Sequence, residues 1–219
     1  MTDSAQTAEQ VRNRFRSHAE QFDDLYEDER PLVKLLRPGL FRRRQLAVET
    51  VAAIDQPHVL DVGCGSGRIG EFVLEAGTAR YVGVDFSEPM IELARRRLER
   101  YEDRTELIAR DFLETDLDER FHAILAVGFF DYIPEPERFV ARMAELSEPG
   151  AAVVASFPAW SWLKGPIRKV RYEWIGDCPI FNYTPQGIER LFAEGGFPRT
   201  EIRAPGRHGY LLRAWRGPA

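Results

Sequence analysis

A mostly parallel α/β sheet covered by helices on both faces is predicted for this chain, and three observations predict it. Short apolar runs of strand length alternate with segments of helical periodicity from residue 58 onward. The glycine-dense turn "VLDVGCGSGRIG" (59–70) falls where a strand ends and a helix begins. The last two strand-like runs, "RTEIRA" and "GYLLRAW", are joined by a few residues around Pro205 and Gly206. That is too short for a helical crossover, so this pair should run antiparallel.

The elements follow in order. "HVLDV" (58–62) reads as a buried strand. In "GRIGEFVLEAG", Ile69, Phe72, Val73 and Ala76 recur at helical spacing and Gly77 is a natural stop. "RYVGVD" (80–85) is the second strand. "SEPMIELARRRLERY" opens at Ser87, a suitable N-cap, and lines Met90, Ile91, Ala94, Leu98 and Tyr101 along one face. On its outer face Glu92–Arg96 and Arg95–Glu99 are spaced to pair. "TELIA" (105–109) and "HAILAVG" (122–128) are the third and fourth strands. A helix over about 135–147 turns Phe139, Val140, Met143 and Leu146 inward and should end at Pro149-Gly150, before a fifth strand, "AAVVASF" (151–157). Thr184-Pro185 opens a last helix that Gly195-Gly196 closes. The repeated strand–helix units give a seven-stranded sheet whose ligand site should lie beyond the carboxyl ends of its strands.

With 219 residues, the chain has the size of one well-cored domain, and its 44% apolar and 30% charged residues are those of a soluble globular protein. No apolar run approaches the ~18–20 residues that span a bilayer. The polar start "MTDSAQTAEQ" is no signal peptide, and Cys64 and Cys178 make no disulfide framework, so a cytoplasmic location is expected. A net charge of −5 argues against a general nucleic-acid binder. Two basic clusters, "LLRPGLFRRR" (35–44) and "WLKGPIRKVRYEW" (162–174), read first as solvated helix faces, with contact to an anionic membrane surface as the alternative.

Two ligands compete for the glycine turn. Gly65-Ser66-Gly67-Arg68-Ile69-Gly70 spells G-x-G-x-x-G, and Asp85 lies 20 residues past Gly65, as in a dinucleotide site. Yet Asp61 sets a carboxylate at the strand end, before Gly63, Gly65 and Gly67. An acid there favours a ligand with a positive amino group and repels a pyrophosphate. The chain also lacks room for a second nucleotide-binding half and a dehydrogenase catalytic domain.

Taken together, the motifs resemble those of the class I S-adenosylmethionine-dependent methyltransferases. "VLDVGCGSGRIG", "YVGVDFSEPM", "ARDFLE" and "ILAVGFFDYIP" match the family's successive motifs in order and spacing over about 58–135, and the antiparallel ending matches as well. The resemblance implies a Rossmann-like fold and S-adenosylmethionine as cofactor, leaving as S-adenosylhomocysteine. It implies that Asp61 and the loop backbone at Gly63, Cys64, Gly65 and Gly67 hold the methionine end. Asp85 should accept from the ribose hydroxyls, with Phe86 and Met90 flanking the adenine or ribose; Met90 equally suits a core position. Asp111 should take the adenine amino group as Phe112 presents its backbone amide. Val127 and Gly128 should line the floor below the sulfonium. Cys64 reads as a small packing residue rather than a nucleophile.

The implied reaction is in-line transfer of a methyl group to a small-molecule acceptor, in which the protein aligns the acceptor and excludes water. Asp131 and Tyr132 sit at the appropriate strand end, and His18 is a further candidate base. "GFFDYIP" lacks the Asn/Asp-Pro-Pro-aromatic motif of base-modifying members, which argues against a nucleic-acid substrate. The segment 16–30 resembles the family's lid, with Phe22 and Tyr26 as its aromatic pair. An insertion over 158–184 should form part of the acceptor pocket, through Trp160, Arg168 and Tyr172. That mixture suits an apolar or aromatic acceptor bearing an anionic group; aromatics packed on the sheet are the alternative. One domain over 1–219 is expected: a helical lid (1–50), a cofactor core (55–157), the insertion (158–184), and the last helix with the antiparallel strand pair (185–219). No H-E-x-x-H or C-x-x-C pattern points to a catalytic metal. The rival readings are a nicotinamide-dependent oxidoreductase and a non-catalytic module that binds S-adenosylmethionine.

Overall fold

The computed structural model describes residues 38–158, 181–204 and 209–218. Seven strands form one sheet: β1 (His58–Val62), β2 (Arg80–Asp85), β3 (Thr105–Ala109), β4 (Phe121–Ala126), β5 (Ser147–Pro158), β6 (Arg199–Arg203) and β7 (Gly209–Trp215). Their spatial order is β3-β2-β1-β4-β5-β7-β6. The first five strands pair in parallel, while β7 runs antiparallel to both β5 and β6. The described helices are α1 (Pro38–Ala52), α2 (Arg68–Glu75), α3 (Glu88–Leu98), α4 (Pro136–Glu145) and α5 (Pro185–Glu194). None of the helices among the described residues is long and apolar enough to cross a membrane.

Strand alternation sorts the core into two layers. Val59, Tyr81, Leu125 and Val154 pack with Leu46, Ala47 and Val51 of α1, Val73 and Leu74 of α2, and Leu98 of α3. Leu60, Val62, Val82, Val84 and Ile124 point the other way, onto Val140 and Met143 of α4 and Ile188 and Phe192 of α5. The second layer is rich in rings. Phe130 stacks on Phe157 at 4.6 Å between centroids, and both meet Phe192 edge-on. This cluster anchors the turn that follows β4.

Three predicted boundaries shift. The fourth strand stops at Ala126, because Gly128 takes a φ of 78° and its N–H turns to the hydroxyl of Ser156, 2.8 Å away. The helix expected to reach 147 ends at Glu145, and β5 begins at Ser147, whose hydroxyl returns to the Met143 carbonyl at 2.7 Å. Pro149 and Gly150 therefore do not stop the helix. They lie within β5, where pairing to β4 passes from Phe121–Ser147 to Ala123–Ala152 through an irregularity. Proline without an N–H and glycine at a φ of 77° suit such a bulge. Ser87 occupies the N-cap of α3 but its buried hydroxyl caps nothing; its backbone N–H donates instead to Asp85 Oδ1 at 2.9 Å. Arg95 pairs with Glu88 rather than Glu99. Thr184 caps α5 as expected, accepting from the Gly187 N–H at 3.1 Å.

Because Phe130 is fully buried at the centre of the ring cluster, Phe130→Ala is expected to cost about 3–5 kcal/mol of stability. Urea denaturation followed by circular dichroism checks this; a loss under 1 kcal/mol would mean that the cluster does not hold the turn.

Candidate functional site

The glycine turn joins β1 to α2 at the carboxyl end of the sheet. The N–H groups of Gly63 and Cys64 both donate to the Val84 carbonyl of β2, at 2.8 and 3.1 Å. Gly63, Gly65 and Gly67 all have positive φ, at 71°, 54° and 77°, a region that costs a residue with a side chain. Their surroundings differ. A Cβ on Gly63 would lie 2.7 Å from the Phe129 ring, and one on Gly67 would press on Ala94 and Leu98 of α3. A Cβ on Gly65 would meet nothing within 4 Å. The backbone is thus packed on both flanks and open at Gly65, where a ligand could approach it.

Two carboxylates lie beside that opening. Asp85 ends β2 and accepts from the Gly65 N–H at 3.0 Å through Oδ2, while Oδ1 takes the Ser87 N–H. It therefore pins the glycine turn to the start of α3. Each oxygen keeps a second lone pair for a ligand hydroxyl. Burial pushes the Asp85 carboxyl up to about 6, against the pull of those two backbone bonds. Asp61, 2% exposed on β1, accepts from the Tyr81 hydroxyl at 2.8 Å through Oδ2. Burial pushes it up to about 7; the Tyr81 bond lowers it and the nearby Asp85 raises it further. Cys64 is buried between these acids, and burial with both negative charges pushes its thiol well above the usual range. A thiol so held is no nucleophile at neutral pH.

Asp111 caps the short turn Phe112–Glu114, accepting from the Leu113 N–H at 2.9 Å. Phe112 is buried and stacks on Phe139, which meets Phe129 edge-on at 5.2 Å. Phe86 is half-buried, and Met90 is 5% exposed on α3. Val127 and Gly128 fall in the turn after β4, followed by the short helix Phe130–Tyr132 that carries Asp131 and Tyr132. The Asp131 carbonyl accepts from the Phe181 N–H at 3.1 Å, and the Tyr183 hydroxyl donates to the Ile133 carbonyl at the same distance. Burial, with Glu137 and Asp131 nearby, pushes Tyr183 upward, so it stays protonated. His18, Phe22, Tyr26, Trp160, Arg168 and Tyr172 lie outside the described residues.

Sequence reasoning missed three residues here. Phe129, which walls the turn at Gly63, lies within "GFFDYIP", where only Asp131 and Tyr132 are assigned a role. Tyr81 looked like one more apolar strand position. Arg43 was one of three arginines in a basic run. The structure sets its guanidinium across the β4 and β5 ends, 3.7 Å from a Gly128 Cβ position and 3.6 Å from that of Gly209. It has no hydrogen-bond or ion-pair partner among the described residues. Helical phase alone could not say which of Arg42, Arg43 and Arg44 faces the cleft.

Comparison with known proteins identifies the family and the fold. Residues 59–150 match a family model described as a methyltransferase domain. A ubiquinone biosynthesis O-methyltransferase of Coxiella burnetii is 28% identical over 141 residues, covering 64% of this chain. The chain spans 58% of that relative's length. A phosphatidylethanolamine N-methyltransferase of Cereibacter sphaeroides is 36% identical over 156 residues, covering 66% of this chain and 70% of the relative. Among solved structures, the magnesium protoporphyrin IX methyltransferase of Synechocystis PCC 6803 with bound S-adenosylhomocysteine superposes with a TM-score of 0.75 at 20% identity, covering 94% of this chain and 98% of the other. The chain belongs to the class I S-adenosylmethionine-dependent methyltransferases.

Proposed function

We propose that this protein transfers a methyl group from S-adenosylmethionine to a small-molecule acceptor. The observation that carries the reading is the open backbone at Gly65 beside the buried Asp61 and the half-buried Asp85. An amino acid joined to a nucleoside matches that arrangement: Asp61 suits its ammonium, Asp85 its ribose hydroxyls, and Arg43 its carboxylate. Asp111 and Phe112 then serve the adenine, with Phe86 and Met90 beside it. Val127 and Gly128 underlie the sulfonium.

When bound, S-adenosylmethionine supplies an activated methyl whose bond electrons remain on sulfur as the acceptor's lone pair attacks. The chain's own task is to align that lone pair and exclude water. Asp131 and Tyr132, at the β4 end, are the groups we assign to positioning the acceptor or taking a proton from it, with His18 a third. The lid pair Phe22 and Tyr26, and the insertion residues Trp160, Arg168 and Tyr172, remain our assignment for closing the acceptor pocket of a single domain. Their composition favours an apolar or aromatic acceptor with an anionic group. The relatives named above include one O- and one N-methyltransferase, so the atom methylated is left to experiment.

The dinucleotide reading loses its best support. Gly70, the last glycine of G-x-G-x-x-G, faces the Tyr81 hydroxyl, 2.5 Å from where its Cβ would lie. Packing thus requires that glycine without any pyrophosphate. A sheet whose seventh strand enters antiparallel between β5 and β6 also departs from the dinucleotide domain.

Asp85→Ala is expected to weaken S-adenosylhomocysteine binding by about 10-fold or more, with the fold retained by circular dichroism. Unchanged affinity would remove the ribose assignment, and binding of NADH instead would revive the oxidoreductase. Methyl-labelled S-adenosylmethionine, incubated with the protein and fractionated host extract, should place label in the small-molecule fraction; label only in RNA or protein would overturn the acceptor class.

The raised carboxyls also set a pH dependence. In the free protein Asp61 and Asp85 hold protons more tightly folded than unfolded, where each has its ordinary value of 3.8. Their contribution to stability is full below that value and is lost as pH rises toward about 7. A ligand ammonium reverses the preference, so binding should release protons and tighten with pH. Affinity for S-adenosylhomocysteine is expected to rise about 10-fold between pH 6 and pH 8. Calorimetry in two buffers of different ionisation heat measures the proton release; none at pH 6.5 would count against an ionised Asp61 in the complex.

A further inference from the structure

Tyr81 is an odd choice for its position. It is fully buried on β2, in a layer otherwise built of aliphatic side chains, and a phenylalanine would fill the same space. Three residues, on β1, α2 and β2 itself, lie against its hydroxyl and ring. Asp61 of β1 receives the hydroxyl at 2.8 Å. Gly70 of α2 leaves room for it, since a Cβ there would lie 2.5 Å from the hydroxyl oxygen. Gly83, two residues along β2 on the same face, is enclosed by Leu107, Cys64 and the Tyr81 ring, which a Cβ would meet at 2.8, 3.0 and 3.1 Å. Neither Gly70 nor Gly83 has a positive φ, so backbone conformation does not demand glycine at either place. Space for Tyr81 does at Gly70, and at Gly83 Tyr81 shares that demand with Leu107 and Cys64.

Those fitted residues all deliver one hydrogen bond, to one oxygen of one buried carboxylate. That bond takes Oδ2 and favours one orientation of the carboxylate, and Oδ1 has no other partner among the described residues. We propose that Tyr81 is a positioning residue for the cofactor: its hydroxyl orients the Asp61 carboxylate and favours its ionised form, so that Oδ1 meets the ligand ammonium. This rests on the reading of Asp61 given above. The groups that share the pocket are Asp85 at the end of β2 and Cys64 in the glycine turn, and both act on Asp61 or Tyr81 by charge. Neither donates a hydrogen bond to Asp61, so Tyr81 alone among the described residues does so.

The test is a double-mutant cycle in S-adenosylhomocysteine binding across pH 6–9, with Tyr81→Phe, Asp61→Asn and the pair, each checked for folding by circular dichroism. Tyr81→Phe is expected to weaken binding about 5- to 20-fold at pH 7 and less at pH 9, moving the pH midpoint upward. Asp61→Asn should remove the part of the pH dependence centred near 7 and leave the part near 6 that belongs to Asp85, and Tyr81→Phe should then add no more than about 2-fold. A tyrosine that merely filled the core would leave the pH midpoint in place and add its full effect in both backgrounds. That result would overturn the proposal. Failure of the wild-type protein to bind, or full binding by Asp61→Asn, would instead overturn the Asp61 reading beneath it.

Discussion

Seating a buried and a half-buried carboxylate on one face of a sheet, with no cation beside them among the described residues, is the constraint around which this fold is arranged. Asp61 and Asp85 sit at the ends of adjacent strands, and isolated charges there would be costly. Asp85 is stabilised by two backbone N–H bonds and Asp61 by a tyrosine hydroxyl. That partial compensation leaves both acids poised near neutrality. The folded chain is thus electrostatically incomplete at this point, and the ammonium of the proposed ligand would complete it.

The glycines divide the rest of the work. Gly67 lets α3 approach the turn, Gly70 makes room for Tyr81, Gly83 for Leu107, Cys64 and Tyr81, and Gly63 accommodates Phe129. Of the four glycines in the turn, Gly65 alone faces open space. A motif usually read as a single ligand cradle is thus mostly a packing device, and it exposes the backbone at one point. The bond from Gly65 to Asp85 joins that point to the ribose position, so the two halves of the ligand would be held by one rigid unit.

The order of strands and helices was legible because each element keeps its own period, and the short Pro205-Gly206 link dictated an antiparallel end. The acids at positions 61 and 85 were legible because strand ends next to glycines have few other uses for a carboxylate. What escaped was whatever depends on the third dimension. Tyr81 counts as apolar in any strand pattern, and only the register with Asp61 and Gly83 reveals a use for its hydroxyl. Pro149-Gly150 looks like a helix stop, since nothing local distinguishes a stop from a bulge between two stretches of strand. Arg43 needed the packing of Leu46, Ala47 and Val51 to fix which way α1 turns.

The ends of the segment 159–180 meet. The Tyr183 N–H donates to the Pro158 carbonyl at 3.3 Å, its hydroxyl holds Ile133, and Phe181 is bonded to Asp131. The chain thus leaves the sheet and returns to it at nearly one point, beside the turn assigned to the acceptor. Closure entropy grows only with the logarithm of length, so such a segment can be lengthened, shortened or rewritten with little cost to the sheet. If the insertion forms the acceptor pocket as proposed, acceptor preference would be an exchangeable cassette on the cofactor-binding sheet, and grafting 159–180 between relatives would change the molecule methylated.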